Sequence, residues 1–110
     1  MTRTPPELLQ GTVHILILRS LAREPMHGYA ISRWLAERSA GVLAVDGAAL
    51  YQALHRLEHR KWVRASWGTS ENNRRAKFYT LTAAGRAQLR SDSVVWKTYA
   101  AAVATVLSPS

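Results

Sequence analysis

The sequence predicts a mainly α fold that carries one small β-hairpin and ends in a long C-terminal helix. Three observations predict it. Apolar residues recur at helical spacing in separate segments along the chain. A period-two stretch and a second strand-like stretch flank a run of turn residues. Asp46 and Thr82, residue types that cap helix N-termini, stand immediately ahead of two of the helical segments.

In order along the chain, Pro5-Pro6 can open a first helix, in which Leu8, Leu9, Thr12, Val13, Leu16, Ile17 and Leu21 share a face. Arg23-Glu24-Pro25 stops it, because proline disfavours helix in the residue before it and cannot extend one. A second helix over about residues 28–39 places Ile31, Trp34, Leu35 and Arg38 on adjoining turns and stops at Ala40-Gly41. Behind Asp46, a third helix over about residues 47–60 separates its faces. Leu50, Ala53, Leu54 and Leu57 form one stripe, and Gln52, His55, Arg56 and His59 form the other.

Trp62 to Trp67 then alternates, Gly68 to Asn73 reads as turn, and Arg74 to Leu81 is strand-like with Phe78, Tyr79 and Thr80. Thr82 caps a last helix from about Ala83 to Leu107, followed by Ser-Pro-Ser. Within it Leu89, Trp96 and Val103 step by seven, with Tyr99 and Val106 on the second seam position and Asp92 interrupting that seam. Three short helices followed by a basic hairpin describe a winged helix-turn-helix. Residues 1–81 form that unit, N-terminal helix included, and residues 82–110 form a C-terminal dimerisation helix with a short tail.

Composition narrows the function. The chain has 110 residues with 15 Lys+Arg against 7 Asp+Glu, a net charge of +8, and is 47% hydrophobic with four Trp and four Tyr, which excludes a disordered basic tail. With no cysteine, disulfides, thiolate zinc sites, thiol nucleophiles and c-type haem attachment are excluded. The longest apolar run, Tyr99 to Ala104, is six residues, and MTRTPPELLQ lacks a leader pattern, so the expectation is no spanning helix, no secretory leader, no membrane association and a cytoplasmic location. The positive charge is concentrated: Arg56, Arg60, Lys61, Arg64, Arg74, Arg75 and Lys77 share a stretch whose only acids are Glu58 and Glu71. Such a stretch faces an acidic partner, nucleic acid first.

A helix fits the B-DNA major groove, and a cationic hairpin reaches the neighbouring phosphates. The third helix is then the reader, with Tyr51, Gln52, His55 and Arg56 as candidate DNA contacts. Gln suits adenine and Arg suits guanine. Arg74, Arg75 and Lys77 on the wing are candidate phosphate contacts, which position without reading sequence. A basic winged-helix adaptor that binds protein or a membrane surface, without specific DNA readout, is the alternative.

Four separated segments resemble the PadR-like family of winged helix-turn-helix transcriptional regulators over nearly the whole chain. They are Gly11 with Val13 to Leu18, Pro25-Met26-His27-Gly28-Tyr29-Ala30-Ile31, Leu50-Tyr51-Gln52-Ala53-Leu54-His55-Arg56-Leu57-Glu58, and Arg75-Ala76-Lys77-Phe78-Tyr79-Thr80-Leu81-Thr82-Ala83-Ala84-Gly85. The resemblance implies a winged domain, a C-terminal helix that dimerises, and repression relieved by a small hydrophobic or aromatic effector. The single helix after the wing resembles the family's short branch. The family's Leu-Tyr-Pro corresponds to Leu50-Tyr51-Gln52, which gives Tyr51 a DNA-facing role and leaves Gln52 as a departure. Lys61 stands where the family has glycine, so either the backbone there is reshaped or Lys61 is strained. The family's wing pattern stands as Arg75-Ala76-Lys77-Phe78-Tyr79, with phenylalanine replacing one tyrosine.

Tryptophan serves as core, interface or ligand platform. Spacing assigns Trp34 to the core, Trp62 to the helix-to-wing corner and Trp67 to sheet packing. Trp96 lies on a seam that the winged domain cannot cover. In the short family members the matching tryptophan lines a cleft between two C-terminal helices, where flat ligands stack. Leu89, Trp96, Tyr99, Val103 and Val106 are the candidate dimer interface, and the first helix contributes to it.

An enzyme reading has one foothold, since His55-Arg56-Leu57-Glu58-His59 matches the H-x-x-E-H metalloprotease string. That chemistry needs a third protein ligand and a cleft, and only Glu71 and Asp92 remain downstream, so the two histidines read as part of a groove-facing polar stripe. His14 and His27 are isolated and read as local hydrogen-bonding residues. The acids are scattered and no glycine-rich phosphate loop exists, so no catalytic residue, metal or cofactor is expected. The sequence therefore predicts a homodimeric repressor on a pseudo-palindromic double-stranded DNA operator.

Overall fold

The computed structural model describes residues 11–110. The expected helix start at Pro5-Pro6, with Leu8 and Leu9, lies outside the described residues. Within them the order is α1 (Val13–Ser20), β1 (Met26–His27), α2 (Gly28–Arg38), α3 (Gly47–His59), β2 (Val63–Thr69), β3 (Arg75–Leu81) and α4 (Ala83–Leu107). This is the mainly α, winged helix-turn-helix architecture that the sequence predicts.

The core forms where the three helical stripes meet the sheet. Ile17 and Leu18 of α1, Ile31 and Leu35 of α2, and Leu50, Ala53, Leu54 and Leu57 of α3 are all buried, together with Val63, Tyr79 and Leu81 of the strands. Trp34 and Trp62 pack half-buried against that core, as spacing suggested. Each fully buried leucine or isoleucine contributes about 1.5–3 kcal/mol of transfer free energy, so the outer stripe of α3 can stay polar without loss of the fold.

The caps fix where the helices begin. Asp46 accepts from the Ala49 N–H at 3.0 Å and Thr82 from the Gly85 N–H at 3.0 Å, so both predicted N-caps hold. His27 is a third cap, its Nδ1 accepting from the Ala30 N–H at 3.2 Å. The stops of α2 and α3 share one geometry. Gly41 N–H donates to Ala36 O at 2.8 Å behind Ala40 at φ 54°, and Trp62 N–H donates to Leu57 O at 3.0 Å behind Lys61 at φ 64°. Both are Schellman-type stops with a left-handed residue. The question left open at Lys61 is thereby answered: the left-handed turn is kept, and lysine adopts it at a cost of roughly 1–2 kcal/mol.

Two features of the sheet differ from expectation. First, it has three antiparallel strands in the order β1-β3-β2, because Met26 and His27 pair with Tyr79 and Phe78. Two residues carry no periodicity, so this strand left no signal in the sequence. Second, the hairpin is longer than expected, since Gly68 and Thr69 pair with Ala76 and Arg75 instead of belonging to the turn. The Phe78 ring explains Gly68, as a Cβ there would lie 3.0 Å from Phe78 Cδ1. The turn itself is closed by Ser70 N–H donating to Arg74 O at 2.8 Å, with Asn73 left-handed at φ 58°.

The root of α4 is clamped to the corner between α3 and β2. Thr82 Oγ1 donates to Lys61 O at 2.8 Å and Trp62 O at 3.0 Å, and Thr82 N–H also donates to Trp62 O at 3.1 Å. Gly85 makes this approach possible, since a Cβ there would collide with the Trp62 carbonyl. Leu89 is buried, Asp92 and Ser93 are half-buried, and from Val94 to Tyr99 the helix is exposed.

Candidate nucleic-acid interface

The polar face of α3 divides into a front and two flanks. Gln52, His55 and His59 lie along the front and are exposed. Tyr51 and Glu58 lie on the flank that faces the wing, and Arg56 lies on the flank that faces α1.

On the wing side, the start of α2, α3 and the hairpin enclose a groove of about 640 Å³. Tyr29, Tyr51 and Trp67 supply its aromatic wall, and Arg74, Arg75 and Lys77 its cations. Tyr51 is packed here against Gly28, where a Cβ would collide with the phenol oxygen, so the two family-like segments around residues 28 and 51 meet at this point. Tyr51 remains 53% exposed. Trp67 departs from the expected sheet packing. It is 61% exposed, and the Arg75 guanidinium lies 4.6 Å from its ring centroid. A solvent-facing strand position on a two-sided hairpin satisfies the alternation as well as a buried one.

Three tethers hold this surface, and none was legible in the sequence. Lys77 Nζ lies 3.5 Å from Glu58 Oε1, joining wing to α3. His27 Nε2 lies 3.6 Å from Glu71 Oε2, joining the α2 cap to the wing tip. Glu71 is held below the usual carboxylate range, first by its own backbone N–H and also by His27 and Arg33. On the other flank Arg56 Nε donates to His14 Nε2 at 3.2 Å. Both histidines are hydrogen-bonding residues as expected, but His14 acts across 42 positions, and His27 pairs its local cap with a long-range contact to Glu71. Burial, then Glu58 and Tyr51, raise the phenol of Tyr79 beneath the groove.

The seven sequence-predicted contacts therefore fall unevenly. Tyr51, His55, Arg74, Arg75 and Lys77 line one groove, while Gln52 and Arg56 lie outside it on α3. Glu58 of the H-x-x-E-H string meets Lys77, and among the described residues no three His, Asp or Glu side chains converge on a metal-binding geometry. On α4 the predicted seam is open except at Leu89, which is buried in the core of its own chain and is not an exposed interface residue: Trp96 is 42% exposed, Tyr99 65%, Val103 37% and Val106 82%. Leu107 extends that stripe and was missed at the sequence level. Asp92, the interruption, accepts from Gln88 Nε2 at 2.9 Å. No helix among the described residues is long and apolar enough to cross a membrane.

Comparison with known proteins agrees with this geometry. Residues 17–91 match the model of the transcriptional regulator PadR-like family. A PadR family transcriptional regulator from Eggerthella lenta is similar at 29% identity with TM-score 0.78, over 94% of this chain and 88% of that one. A PadR family transcription regulator from Clostridium difficile is similar at 25% identity with TM-score 0.76, over 89% of this chain and 100% of that one. A transcriptional regulator from Clostridium thermocellum shares the fold, with TM-score 0.83 at 22% identity over 93% of this chain and 99% of that one. Members of this family are transcriptional regulators and not enzymes. With its winged fold and more than half its length matched, the chain belongs to the PadR-like family of transcriptional regulators.

Proposed function

We propose that the protein is a homodimeric repressor that binds a pseudo-palindromic operator in double-stranded DNA and is released by a small hydrophobic or aromatic effector. The observation that carries the DNA part is the groove between α3 and the wing, where Arg74, Arg75 and Lys77 stand across from Tyr51 and His55 of α3. In this reading α3 lies in the major groove. Gln52, His55 and Arg56 meet base edges, Tyr51 meets the backbone, and the wing cations meet phosphate. Lys77 must share its charge between Glu58 and the phosphate.

The dimer part is supported by α4, whose stripe of Trp96, Tyr99, Val103 and Val106 continues outward from the buried Leu89 and is exposed. Residues 82–110 then serve as the dimerisation helix of a body spanning residues 1–81. Two recognition helices would reach successive major grooves about 34 Å apart. Trp96, partly exposed on that stripe, offers a ring on which a planar effector could stack between paired helices. A DNA-binding regulator of this kind acts in the cytoplasm.

The decisive experiment is selection of bound fragments from the source genome by the purified chain. An enriched, two-fold symmetric sequence supports the reading. Equal recovery of all fragments, with binding to anionic vesicles, would sink it in favour of a surface adaptor. Quenching of Trp96 fluorescence by planar hydrophobic compounds, with parallel loss of operator binding, tests the effector.

A further inference from the structure

The two flanks of α3 hold their basic residues differently. Lys77 is met by a carboxylate, which opposes its charge, whereas Arg56 is met by an imidazole nitrogen. Only an unprotonated ring nitrogen can accept from Arg56 Nε, so this partner orients the guanidinium without cancelling its charge. With Nε engaged, the two Nη groups remain as a planar fork of the kind that pairs with the O6 and N7 atoms of guanine.

The surroundings of His14 favour that state. Burial, then the positive charges of Arg56 on α3 and Arg60 at its C-cap, hold its pKa below the ordinary 6.5, and Asp92 from α4 opposes them. Of the three helices packed on α1, α3 with its C-terminal end and α4 supply these charged groups, and α2 supplies none. Asp92 is itself engaged by Gln88. An arginine that is already tethered loses less freedom when it docks than a free one does.

We propose that His14 is a positioning residue for base readout, fixing the Arg56 guanidinium through Nε so that its Nη fork is presented to a guanine edge. The proposal rests on Arg56 reading a base, as in the function above. Acid should undo it, because a protonated His14 can no longer accept and repels Arg56.

Two measurements on the full chain test it. In NMR spectra, the Arg56 Nε–Hε resonance should shift as His14 titrates with a midpoint below 6.5. It should stay near its neutral-pH position in His14→Gln, which keeps an acceptor, and move in His14→Leu. An Arg56 resonance that is the same in wild type and His14→Leu overturns the proposal. In selection from random duplexes at neutral pH, Arg56→Ala and His14→Leu should relax the same position of each half-site. His14→Leu should lose about 3- to 10-fold in discrimination there, His14→Gln should restore most of it, and His14→Leu should add nothing in the Arg56→Ala background. Lowering the pH should relax that position in wild type but not in His14→Gln, which covers the case of a misfolded leucine variant. Retention by His14→Leu of a preference that Arg56→Ala loses would overturn the positioning role alone. A wild-type chain that enriches no sequence would overturn the DNA reading together with this inference.

Discussion

The winged body and the distal half of α4 are made from similar residues and end in opposite states. In the body, Leu50, Leu54 and Leu57 are at most 1% exposed, because α1, α2 and the sheet converge on them. In α4, Trp96, Tyr99, Val103 and Val106 form an equally regular stripe, and among the described residues it stays largely exposed. Periodicity therefore states that a face wants burial. It does not state by what. The body answers the question internally, and in the proposed dimer the helix hands it to a second molecule.

The largest expected effect separates these two kinds of burial. Leu54→Ala should lower the unfolding free energy by about 2–5 kcal/mol, and to the same extent at every protein concentration if the body is self-sufficient. Urea titrations at several concentrations check this. Val103→Asp should leave the far-ultraviolet circular dichroism of the body intact while weakening self-association by at least about 30-fold, or 2 kcal/mol. Sedimentation equilibrium reads that change, and an unchanged mass distribution would break the contrast between body and helix.

Much of this division is legible in the sequence. The caps Asp46 and Thr82 and the α3 stripe are local patterns, in which cause and effect lie within four residues. The α4 seam was legible for the same reason. What escaped was non-local or too short to have a period. The β1 strand is two residues long. The extension of β2 through Gly68 depends on where the Phe78 ring falls. The Arg56 to His14 bond spans 42 positions, and no pattern in one dimension announces it. Trp67 was misassigned because alternation marks two faces of a strand without saying which is wet.

Smaller effects sharpen the comparison on the DNA side. Arg75→Ala, lost from both wings of a dimer, should reduce the slope of log K against log salt by about 2 and weaken operator binding about 10-fold. The expected loss is uniform across sequences, since a wing contact to phosphate reads none. A sequence-dependent loss would move Arg75 from positioning to readout. The smallest effect is a gain. Lys61→Gly should stabilise the chain by about 1 kcal/mol, because glycine adopts the left-handed turn at the end of α3 without steric cost. If denaturant titration shows no gain, the strain assigned to φ 64° is absent.

The clamp at the root of α4 carries one more consequence. Thr82 and Gly85 seat the helix on the Trp62 carbonyl, at the end of the element that would read DNA. At 1.5 Å per residue the 25 residues of α4 make an arm of about 37 Å. Rotating such an arm by about 5° at its seat sweeps the far end through roughly 3 Å. In a pair of chains held together at the arms, the same geometry runs backwards. The angle at which two arms cross fixes how far apart the two readers stand, so a change of a few degrees at the crossing is converted into a misfit of a few ångströms on the DNA.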